Sequence, residues 1–279
     1  MSMLIYINGQ FYPESEAQIS VYDRGLQFGD GLYEVARVYS GQVFGLQEHL
    51  ERMISGAKAI HIPLKWSIDD LRNIVLEVVQ RNSIEDGLIY WQLTRGTALR
   101  THAFPPSAQP NLIAYPLAFT PHPELAEKGI NAVVEPDQRW LMCNVKSTNL
   151  LGNVLAKEAA KQKGAQEALL ERTGYGVIEG SSSNLYIVRD GTIRTAPLSN
   201  LILPGITRHF VLQIAEKLDI PVRKEYFDRT QLYNAHEVFI SSTSLEVMPV
   251  VQIDDRTIGS GKPGPITRKL QAGFRQLVN

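Results

Sequence analysis

The chain opens with the stretch Met3-Leu4-Ile5-Tyr6-Ile7-Asn8-Gly9-Gln10-Phe11-Tyr12, two short apolar runs on either side of Asn-Gly. Asn-Gly is a dipeptide favoured in the tight turns of antiparallel hairpins. A second hairpin is predicted where residues 32–39 are followed by Ser40-Gly41 and then Val43-Phe44. Hairpins at the start of the chain argue against a doubly wound parallel sheet, because parallel strands need long crossover connections.

Beyond these hairpins the apolar residues recur at helical spacing. Amphipathic helices are predicted at residues 46–57 and 71–79, where apolar residues return every three or four positions. Ser67 with Asp70 three residues later predicts a capping box before the second helix. Further strands are expected at residues 88–94, 111–119, 130–135 and 184–189, and further helices at 149–163, 207–218 and 266–277.

Strands and helices mix in both halves of the chain without regular alternation, so the fold class is expected to be α+β. Pro121 and Pro123 lie in a stretch with neither helical nor strand periodicity. We therefore expect an N-terminal α+β domain over residues 1–120 and a C-terminal α+β domain over residues 121–279. A cleft between two such domains is a common location for a ligand site.

Composition narrows the class of partner. The 279 residues include 28 Lys and Arg against 29 Asp and Glu, so no overall field attracts nucleic acid or an anionic membrane. Cys143 is the one cysteine, which excludes an internal disulfide and fits a reducing compartment. No signal peptide is evident, and no segment approaches the roughly 20 apolar residues needed to span a bilayer. We expect a cytoplasmic protein that acts on small molecules, with no metal site.

One candidate site is the start of the helix predicted at residues 207–218, at Gly205-Ile206-Thr207. The first N–H groups of a helix are unsatisfied, glycine permits close approach and Thr207 adds a hydroxyl, so a phosphate would fit there. A threonine N-cap after a loop glycine explains the same residues. Arg52, on the helix at 46–57, has a planar guanidinium that suits phosphate, although a solvated surface arginine would look the same.

Two further stretches offer groups that catalysis can use. Lys146 follows Trp140-Leu141-Met142-Cys143, a more apolar setting than most lysines have. Apolar surroundings weaken the preference of an amine for its charged form, which favours a nucleophile, but most lysines are simply solvated. Glu179 precedes a glycine and three serines, so a carboxylate is followed by hydroxyl donors; a plain Gly-Ser turn is the alternative.

Residues 95–102 end a predicted strand with two arginines and a histidine. If the backbone from Arg100 to His102 is extended, these two side chains point the same way and can clamp a carboxylate. An ordinary polar loop is the other interpretation, and it is the simpler one for this stretch considered alone.

Taken together and in this order, these residues resemble the fold-type IV pyridoxal-phosphate enzymes, and among them the D-amino acid transaminases. The resemblance covers nearly the whole chain and rests on six short motifs: DRGLQFGDGLYE (23–34), EHLER (48–52), RGTALRTH (95–102), KSTNLLG (146–152), EGSSSN (179–184) and GITR (205–208). It implies a two-domain α+β enzyme of fold type IV with pyridoxal 5'-phosphate in the cleft between the domains.

The resemblance also implies roles for single residues. Lys146 would bind the cofactor covalently and later move a proton during catalysis. Glu179 would pair with the pyridine nitrogen and keep it protonated, so that the ring accepts electrons. The phosphate would be held by Arg52, the N–H groups of Ile206 and Thr207, and the hydroxyl of Thr243. Ser182 and Leu203 would pack around the cofactor ring.

The implied reaction moves an amino group from a D-amino acid such as D-Ala to a 2-oxo acid such as 2-oxoglutarate, in a ping-pong cycle through pyridoxamine phosphate. Tyr33, Arg100 and His102 would bind the substrate carboxylate. In similar enzymes the arginine and histidine reach in from the neighbouring subunit, so a homodimer is implied. Because Tyr33, Val35 and Arg37 alternate onto one strand face, Arg37 is also expected near the site, where it would influence acceptance of acidic side chains.

Two alternatives share the scaffold, namely aminodeoxychorismate lyase and the branched-chain L-amino acid transaminases. The Arg100 and His102 pair favours the D-transaminase over both, and Gln27-Phe28-Gly29-Asp30-Gly31 also argues against the branched-chain enzymes. A third alternative is a carrier that binds pyridoxal phosphate without catalysis. The presence of both Lys146 and Glu179 argues against it, since binding the phosphate needs neither.

Overall fold

A computed structural model of the chain describes residues 3–107 and 109–278. The chain forms two compact units, one of Met1–Thr120 with Val145–Leu150 and the other of Pro121–Asn144 with Leu151–Asn279. The change of unit after Thr120 falls at the proline-containing stretch. The return of Val145–Leu150 to the first unit differs from the linear division expected at residue 120.

The first unit contains one antiparallel sheet. Its strands are β1 (Leu4–Ile7), β2 (Gln10–Pro13), β3 (Gly31–Tyr39), β4 (Gln42–Val43), β5 (Gly87–Thr94) and β6 (Asn111–Leu117), in the order β2-β1-β6-β5-β3-β4. Both predicted hairpins are confirmed. Asn8 and Gly9 have φ values of 51° and 103°, and Ser40 and Gly41 have φ values of 46° and 77°, the left-handed conformations of tight hairpin turns.

The helices of the first unit are α1 (Arg24–Phe28), α2 (Leu46–Ala59) and α3 (Ile68–Arg81). The apolar stripes of α2 and α3 are buried as their periodicity predicts, with Leu50 and Val78 fully covered. The predicted capping box is present: Asp70 N donates to Ser67 Oγ at 3.1 Å, and Ser67 N donates to Asp70 Oδ2 at 2.8 Å. Such a cap stabilises a helix by about 1 kcal/mol.

Helix α2 approaches β3 closely at a glycine. A Cβ atom on Gly56 would lie only 3.3 Å from the side chain of Leu32 in β3. The helix that carries Arg52 is therefore packed directly on the strand that carries Tyr33 and Glu34.

The described residues of the second unit form nine strands. They are β7 (Ile130–Pro136), β8 (Glu167–Arg172), β9 (Gly176–Gly180), β10 (Asn184–Arg189), β11 (Thr192–Thr195), β12 (Val222–Lys224), β13 (Glu237–Ser242), β14 (Glu246–Ile253) and β15 (Arg256–Thr257). Their order is β12-β11-β10-β13-β14-β7-β8-β9, with β15 on β14. Strand β9 also pairs with β10, so six strands close into a ring, and the closing pair is Glu179 with Asn184.

The helices of the second unit are α4 (Pro123–Lys128), α5 (Leu151–Gln162), α6 (Ile206–Lys217), α7 (Arg229–Tyr233) and α8 (Pro265–Val278). The predicted helices at 207–218 and 266–277 are confirmed as α6 and α8. Helix α5 begins two residues later than predicted, because Asn149 and Leu150 belong to the segment that joins the first unit. Helix α4 was not predicted, since its six residues are too few to show an apolar period.

Among the described residues, no helix combines the length and the apolar character needed to cross a membrane. Cys143 is a buried free thiol, as its single occurrence suggested.

Candidate active site

Lys146 lies in a short segment that extends the edge of the first unit's sheet. Strand β4 pairs only with the last two residues of β3, so it does not reach the start of that strand. The segment lies there instead: Tyr33 N donates to Lys146 O at 3.0 Å, and Thr148 N donates to Gly31 O at 3.0 Å. Backbone hydrogen bonds therefore fix the position from which the Lys146 side chain extends.

The amine of Lys146 faces an aromatic ring. Its Nζ lies 4.2 Å from the ring centroid of Tyr33. Tyr33 in turn stacks on Tyr90, with ring centroids 5.7 Å apart. A cation–π contact orients an ammonium while holding it more weakly than a carboxylate does. The structure thus brings Lys146 and Tyr33 together.

Arg52 is buried against an acid on the neighbouring strand. Its Nε donates to Glu34 Oε1 at 2.8 Å and its Nη2 donates to Glu34 Oε2 at 2.6 Å, while His49 Nδ1 lies 2.7 Å from the same Oε2. The side chain of Arg52 is 10% exposed and that of Glu34 is fully buried. The simpler interpretation of Arg52 as a solvated surface arginine is therefore wrong.

The three groups carry defined charges. Burial opposes the charge of Glu34, but Arg52 and His49 outweigh it and lower the pKa of Glu34 to about 2. Burial lowers the pKa of His49, an effect that the neighbouring Glu34 only partly offsets. At neutral pH the cluster therefore consists of a carboxylate, a guanidinium and a neutral imidazole. Sequence reasoning missed Glu34 and His49 as partners of Arg52, although both lie in the quoted motifs.

Arg100 and His102 meet at one ring. The Arg100 guanidinium lies 4.9 Å from the ring centroid of Phe28, and the His102 ring is edge-on to Phe28 at 5.7 Å. Arg24 Nη1 donates to Thr101 O at 2.6 Å, which fixes the backbone between Arg100 and His102. The side chains of Arg100 and His102 are both exposed. Within the described residues neither forms a hydrogen bond or ring contact with Tyr33 or Lys146, so the shared carboxylate site stays a prediction.

The contacts of Arg37 lie at the end of β3 away from Tyr33. Its Nη1 donates to Val38 O at 2.8 Å and to Gly87 O at 2.7 Å, and its guanidinium lies 4.2 Å from the Phe119 ring centroid. Arg37 also forms an ion pair with Asp86, in which Nη2 lies 3.5 Å from Oδ1. These contacts tie Arg37 to the far end of β3, which gives a structural reason for its burial and no support for a role in substrate choice.

In the second unit, Glu179 lies where the ring of strands closes. It pairs with Leu170 on β8 and with Asn184 on β10. The register between β8 and β9 shifts immediately beside it, because Glu171 pairs with Val177 and Ile178 is an extra residue. A bulge of this kind changes the direction in which neighbouring side chains point.

Three protein donors contact the buried Glu179 carboxylate. Arg139 Nη1 donates to Oε1, whereas Leu203 N and Asn184 Nδ2 donate to Oε2 at 3.1 and 3.3 Å. Burial nevertheless raises the pKa of Glu179 to about 7, because it outweighs the opposing effects of Arg139 and Leu203. Because burial still disfavours the charge of this carboxylate, one further cationic donor would stabilise it.

Behind Glu179 is a charged network that sequence reasoning missed. Arg139 donates to both oxygens of Asp137, from Nε and Nη2, each at 2.9 Å, and Arg172 Nε also donates to Asp137 at 2.9 Å. Asp137 and Arg139 directly follow β7 at a spacing of two residues, which in extended backbone places side chains on one side. This two-residue spacing is the sequence signal from which the Asp137–Arg139 ion pair could have been predicted.

The start of α6 is suited to an anion. Gly205 is the N-cap with φ −65°, and no side chain caps the helix, so Thr207 is not the N-cap that the simpler interpretation required. The first N–H groups of α6 therefore have no partner within the helix. A Cβ on residue 205 would lie 2.1 Å from Asn184 Oδ1, so only glycine fits there without displacing Asn184.

The remaining predicted residues lie close to these elements in the chain. Leu203 is half-buried and contributes the N–H that binds Glu179. Ser182 is exposed, and its hydroxyl donates at 3.2 Å to Glu167, a fully buried acid that also accepts from Ser181 and Ser183. Thr243 is half-buried in the turn between β13 and β14. Sequence reasoning did not assign Glu167 its role in ordering the three serines.

The two units thus carry two sets of functional groups. The first contains Lys146, Tyr33 and the Arg52 cluster, and the second contains Glu179, Leu203 and the uncapped helix start at Ile206 and Thr207. Among the residues described, no group of three or more His, Cys, Asp or Glu could hold a metal ion. An amine, a carboxylate and an anion-binding helix start are the groups expected of an enzyme that holds a phosphorylated pyridine aldehyde.

Comparison with known proteins identifies the class. The family model described as Amino-transferase class IV matches residues 31–253, which is most of the chain, and the chain belongs to this family. It is 47% identical over 275 residues to a D-alanine aminotransferase of Staphylococcus aureus (strain MSSA476), with 98% of this chain and 97% of the relative covered. It is 41% identical to a D-alanine aminotransferase of Bacillus licheniformis, with 99% and 97% covered.

A solved structure supports the fold assignment. The branched-chain amino acid aminotransferase of Escherichia coli superposes with a TM-score of 0.94 at 30% identity, covering 100% of this chain and 95% of that one. The expected fold-type IV, α+β architecture is therefore confirmed.

Proposed function

We propose that this protein is a pyridoxal-phosphate-dependent aminotransferase that moves an amino group from a D-amino acid, with D-Ala as the first candidate, to a 2-oxo acid such as 2-oxoglutarate. The observation that carries the D-amino acid assignment is the 41–47% identity, over nearly the full chain, to proteins named D-alanine aminotransferase. The geometry of both units is compatible with this chemistry.

The residues fit the cofactor on structural grounds. A carboxylate has about four lone-pair positions, and three protein donors contact Glu179, so one position is left for the ring N–H of a pyridinium. The uncapped start of α6, with Ile206 and Thr207, suits the phosphate. We assign Arg52 and the Thr243 hydroxyl to the same phosphate, and Ser182 and Leu203 to the surroundings of the ring.

Lys146 has two tasks in this proposal. Its amine would form the covalent link to the cofactor, and once released it would take the proton from Cα of the amino acid and deliver it to C4′ in the same half-reaction, with the reverse transfer in the second half. Bound pyridoxal phosphate supplies the electron sink that makes loss of that proton possible. The Tyr33 ring holds Nζ in place, and Glu179 stabilises positive charge on the ring nitrogen.

We assign the substrate carboxylate to Tyr33, Arg100 and His102, with Arg100 and His102 contributed by the second subunit of a homodimer. Exposed apolar side chains surround the pair in the chain: Leu99 is 81% exposed and Phe104 56%. Such exposure at a polar pair suits burial against a second copy. We also place the enzyme in the cytoplasm, where Cys143 remains a thiol.

A substrate panel tests the function. Purified enzyme with bound cofactor should absorb visible light, and D-Ala should bleach this absorbance whereas L-Ala should not. Bleaching by L-Leu and not by D-Ala would favour a branched-chain enzyme, the class of the superposed Escherichia coli structure. A Lys146→Ala variant should still bind cofactor non-covalently and lose turnover; full activity in this variant would remove Lys146 from the mechanism.

Subunit mixing tests the shared site. Lys146→Ala and Arg100→Ala are each expected to be inactive as homodimers. Co-expression should restore part of the activity, because a hybrid dimer has one site with an intact lysine and an intact partner arginine. If mixed preparations that contain verified hybrid remain inactive, Arg100 acts within its own subunit or not at all.

A further inference from the structure

Glu179 does not stand alone but ends a row of alternating charges in the second unit. Arg172 contacts Asp137, Asp137 contacts Arg139, and Arg139 contacts Glu179. The side chains of Asp137, Arg139 and Glu179 are 0%, 6% and 4% exposed. Water therefore screens these charges little, and each one depends on its neighbour in the row.

The guanidinium of Arg139 is fixed from two sides. Two parallel hydrogen bonds join it to Asp137, and its own backbone carbonyl accepts from Arg172 Nη2 at 3.2 Å. Burial works against its charge, but the bonds to Asp137 and Glu179 raise the pKa of Arg139 above its ordinary value. It is a permanent cation whose orientation does not depend on a ligand.

The donors on Glu179 are distributed unevenly. Leu203 and Asn184 occupy both lone pairs of Oε2, and Arg139 occupies one lone pair of Oε1. The position left for the cofactor is therefore on Oε1, the atom that Arg139 holds. With a charged donor on the same oxygen, the carboxyl group is a weaker base than the other partners alone would make it.

We propose that Arg139 is a positioning residue that favours the carboxylate form of Glu179 and thereby helps to keep the shared proton on the pyridine nitrogen of the cofactor. The inference rests on the proposed function in one respect, that pyridoxal phosphate is bound with its ring nitrogen at Glu179. Without Arg139, the proton would move to the Glu179 carboxyl group, leaving a neutral pyridine that accepts electrons poorly.

The test uses enzyme loaded with pyridoxal phosphate labelled with ¹⁵N in the ring, without substrate. Arg139→Gln keeps a hydrogen-bond donor and removes the charge, whereas Arg139→Lys keeps the charge. Arg229→Met is a matched control, since Arg229 forms a half-exposed pair with Glu171 in the same unit. Wild type, Arg139→Lys and Arg229→Met should give a pyridinium nitrogen resonance at neutral pH, and Arg139→Gln should shift towards neutral pyridine.

Kinetics provide a second readout that a purely structural role would not move. With cofactor saturating, kcat of Arg139→Gln should fall roughly tenfold or more, and KM for D-Ala should stay near the wild-type value. A pyridinium resonance retained in cofactor-loaded Arg139→Gln would overturn the proposal.

The outcomes separate the two levels of inference. If Arg139→Gln does not fold, a neutral pyridine resonance in wild-type enzyme at neutral pH would still overturn the role of Arg139. If the wild-type protein binds no pyridoxal phosphate, the proposed function fails, whereas bound cofactor with an unchanged variant spectrum defeats only the further inference.

Discussion

Both oxygens of Glu34 accept from the guanidinium of Arg52, Oε1 from Nε at 2.8 Å and Oε2 from Nη2 at 2.6 Å. Two parallel hydrogen bonds hold an arginine in one orientation and reduce the entropy lost when it binds an anion. Because Arg52 is assigned to the cofactor phosphate, Glu34 should influence cofactor affinity without touching the cofactor.

Replacement Glu34→Gln tests this relationship. It should weaken pyridoxal phosphate binding about tenfold and lower the free energy of unfolding by on the order of 3 kcal/mol, because the Arg52 guanidinium loses the charge of the Glu34 carboxylate. Fluorescence titration with cofactor and urea unfolding measure the two effects. The control Glu77→Gln removes the partner of Arg81 from a half-exposed pair on α3 and should cost less than about 1 kcal/mol. Unchanged affinity in Glu34→Gln would show that Arg52 does not depend on Glu34.

The stability of the cofactor-free protein should depend on pH through Glu179. Burial raises the pKa of this group from 4.5 to about 7 in the folded state. The folded chain therefore retains a proton that the unfolded chain loses, and stability falls as pH rises from about 4.5 to about 7, by up to on the order of 3 kcal/mol. Urea unfolding across this range should show a smaller loss in Glu179→Gln. Identical pH profiles would contradict the prediction.

Gly205→Ala should impair cofactor binding through a steric effect. The φ of −65° suits alanine, but the new Cβ would meet Asn184 Oδ1 at 2.1 Å and displace a side chain that bonds to Glu179 and to Leu203 O. We expect cofactor affinity to fall about tenfold and stability to fall by about 1–3 kcal/mol. Gly164→Ala, in open space at φ +75°, should cost about 1 kcal/mol without changing affinity. Equal affinities in the two variants would exclude the steric argument.

Arg37→Met should affect stability and not selectivity. The guanidinium donates to two backbone carbonyls and is 8% exposed, so its loss should cost about 1–3 kcal/mol. The ratio of kcat/KM for D-Glu and D-Ala should stay at the wild-type value, because these bonds hold the guanidinium at the far end of β3. A ratio that changes severalfold would return Arg37 to the substrate site.

The elements that the sequence predicts well are those whose cause is local. The Asn8-Gly9 turn and the Ser67–Asp70 capping box are decided by residues within three positions of one another, and both are confirmed. Strands β8 and β9 were missed because their pairing and the bulge beside Glu179 depend on partners elsewhere in the unit. Their residues show no clear alternation of apolar and polar side chains.

For the candidate site too, local sequence motifs were informative and contacts between distant residues were not predicted. Family motifs predict roles for Lys146, Glu179 and Arg52, while the charged partners of Glu179 and Arg52 were missed. Asp137 and Arg139 are buried ions, and sequence alone favours exposure for each of them until their contact is known. Glu34 lies in a quoted motif, yet its pairing with Arg52 spans 18 positions and becomes evident only when α2 packs on β3.

The addition of residues 145–150 to the edge of β3 also governs how the gene can be divided. The polypeptide passes between the units after residues 120, 144 and 150, so no single cut releases a complete N-terminal fragment. A truncated product ending at residue 120 would lack Lys146 and would expose β-edge backbone that can pair with strands of other chains. Expression trials, split-protein reporters and domain-exchange chimaeras should therefore keep both coding regions in one reading frame.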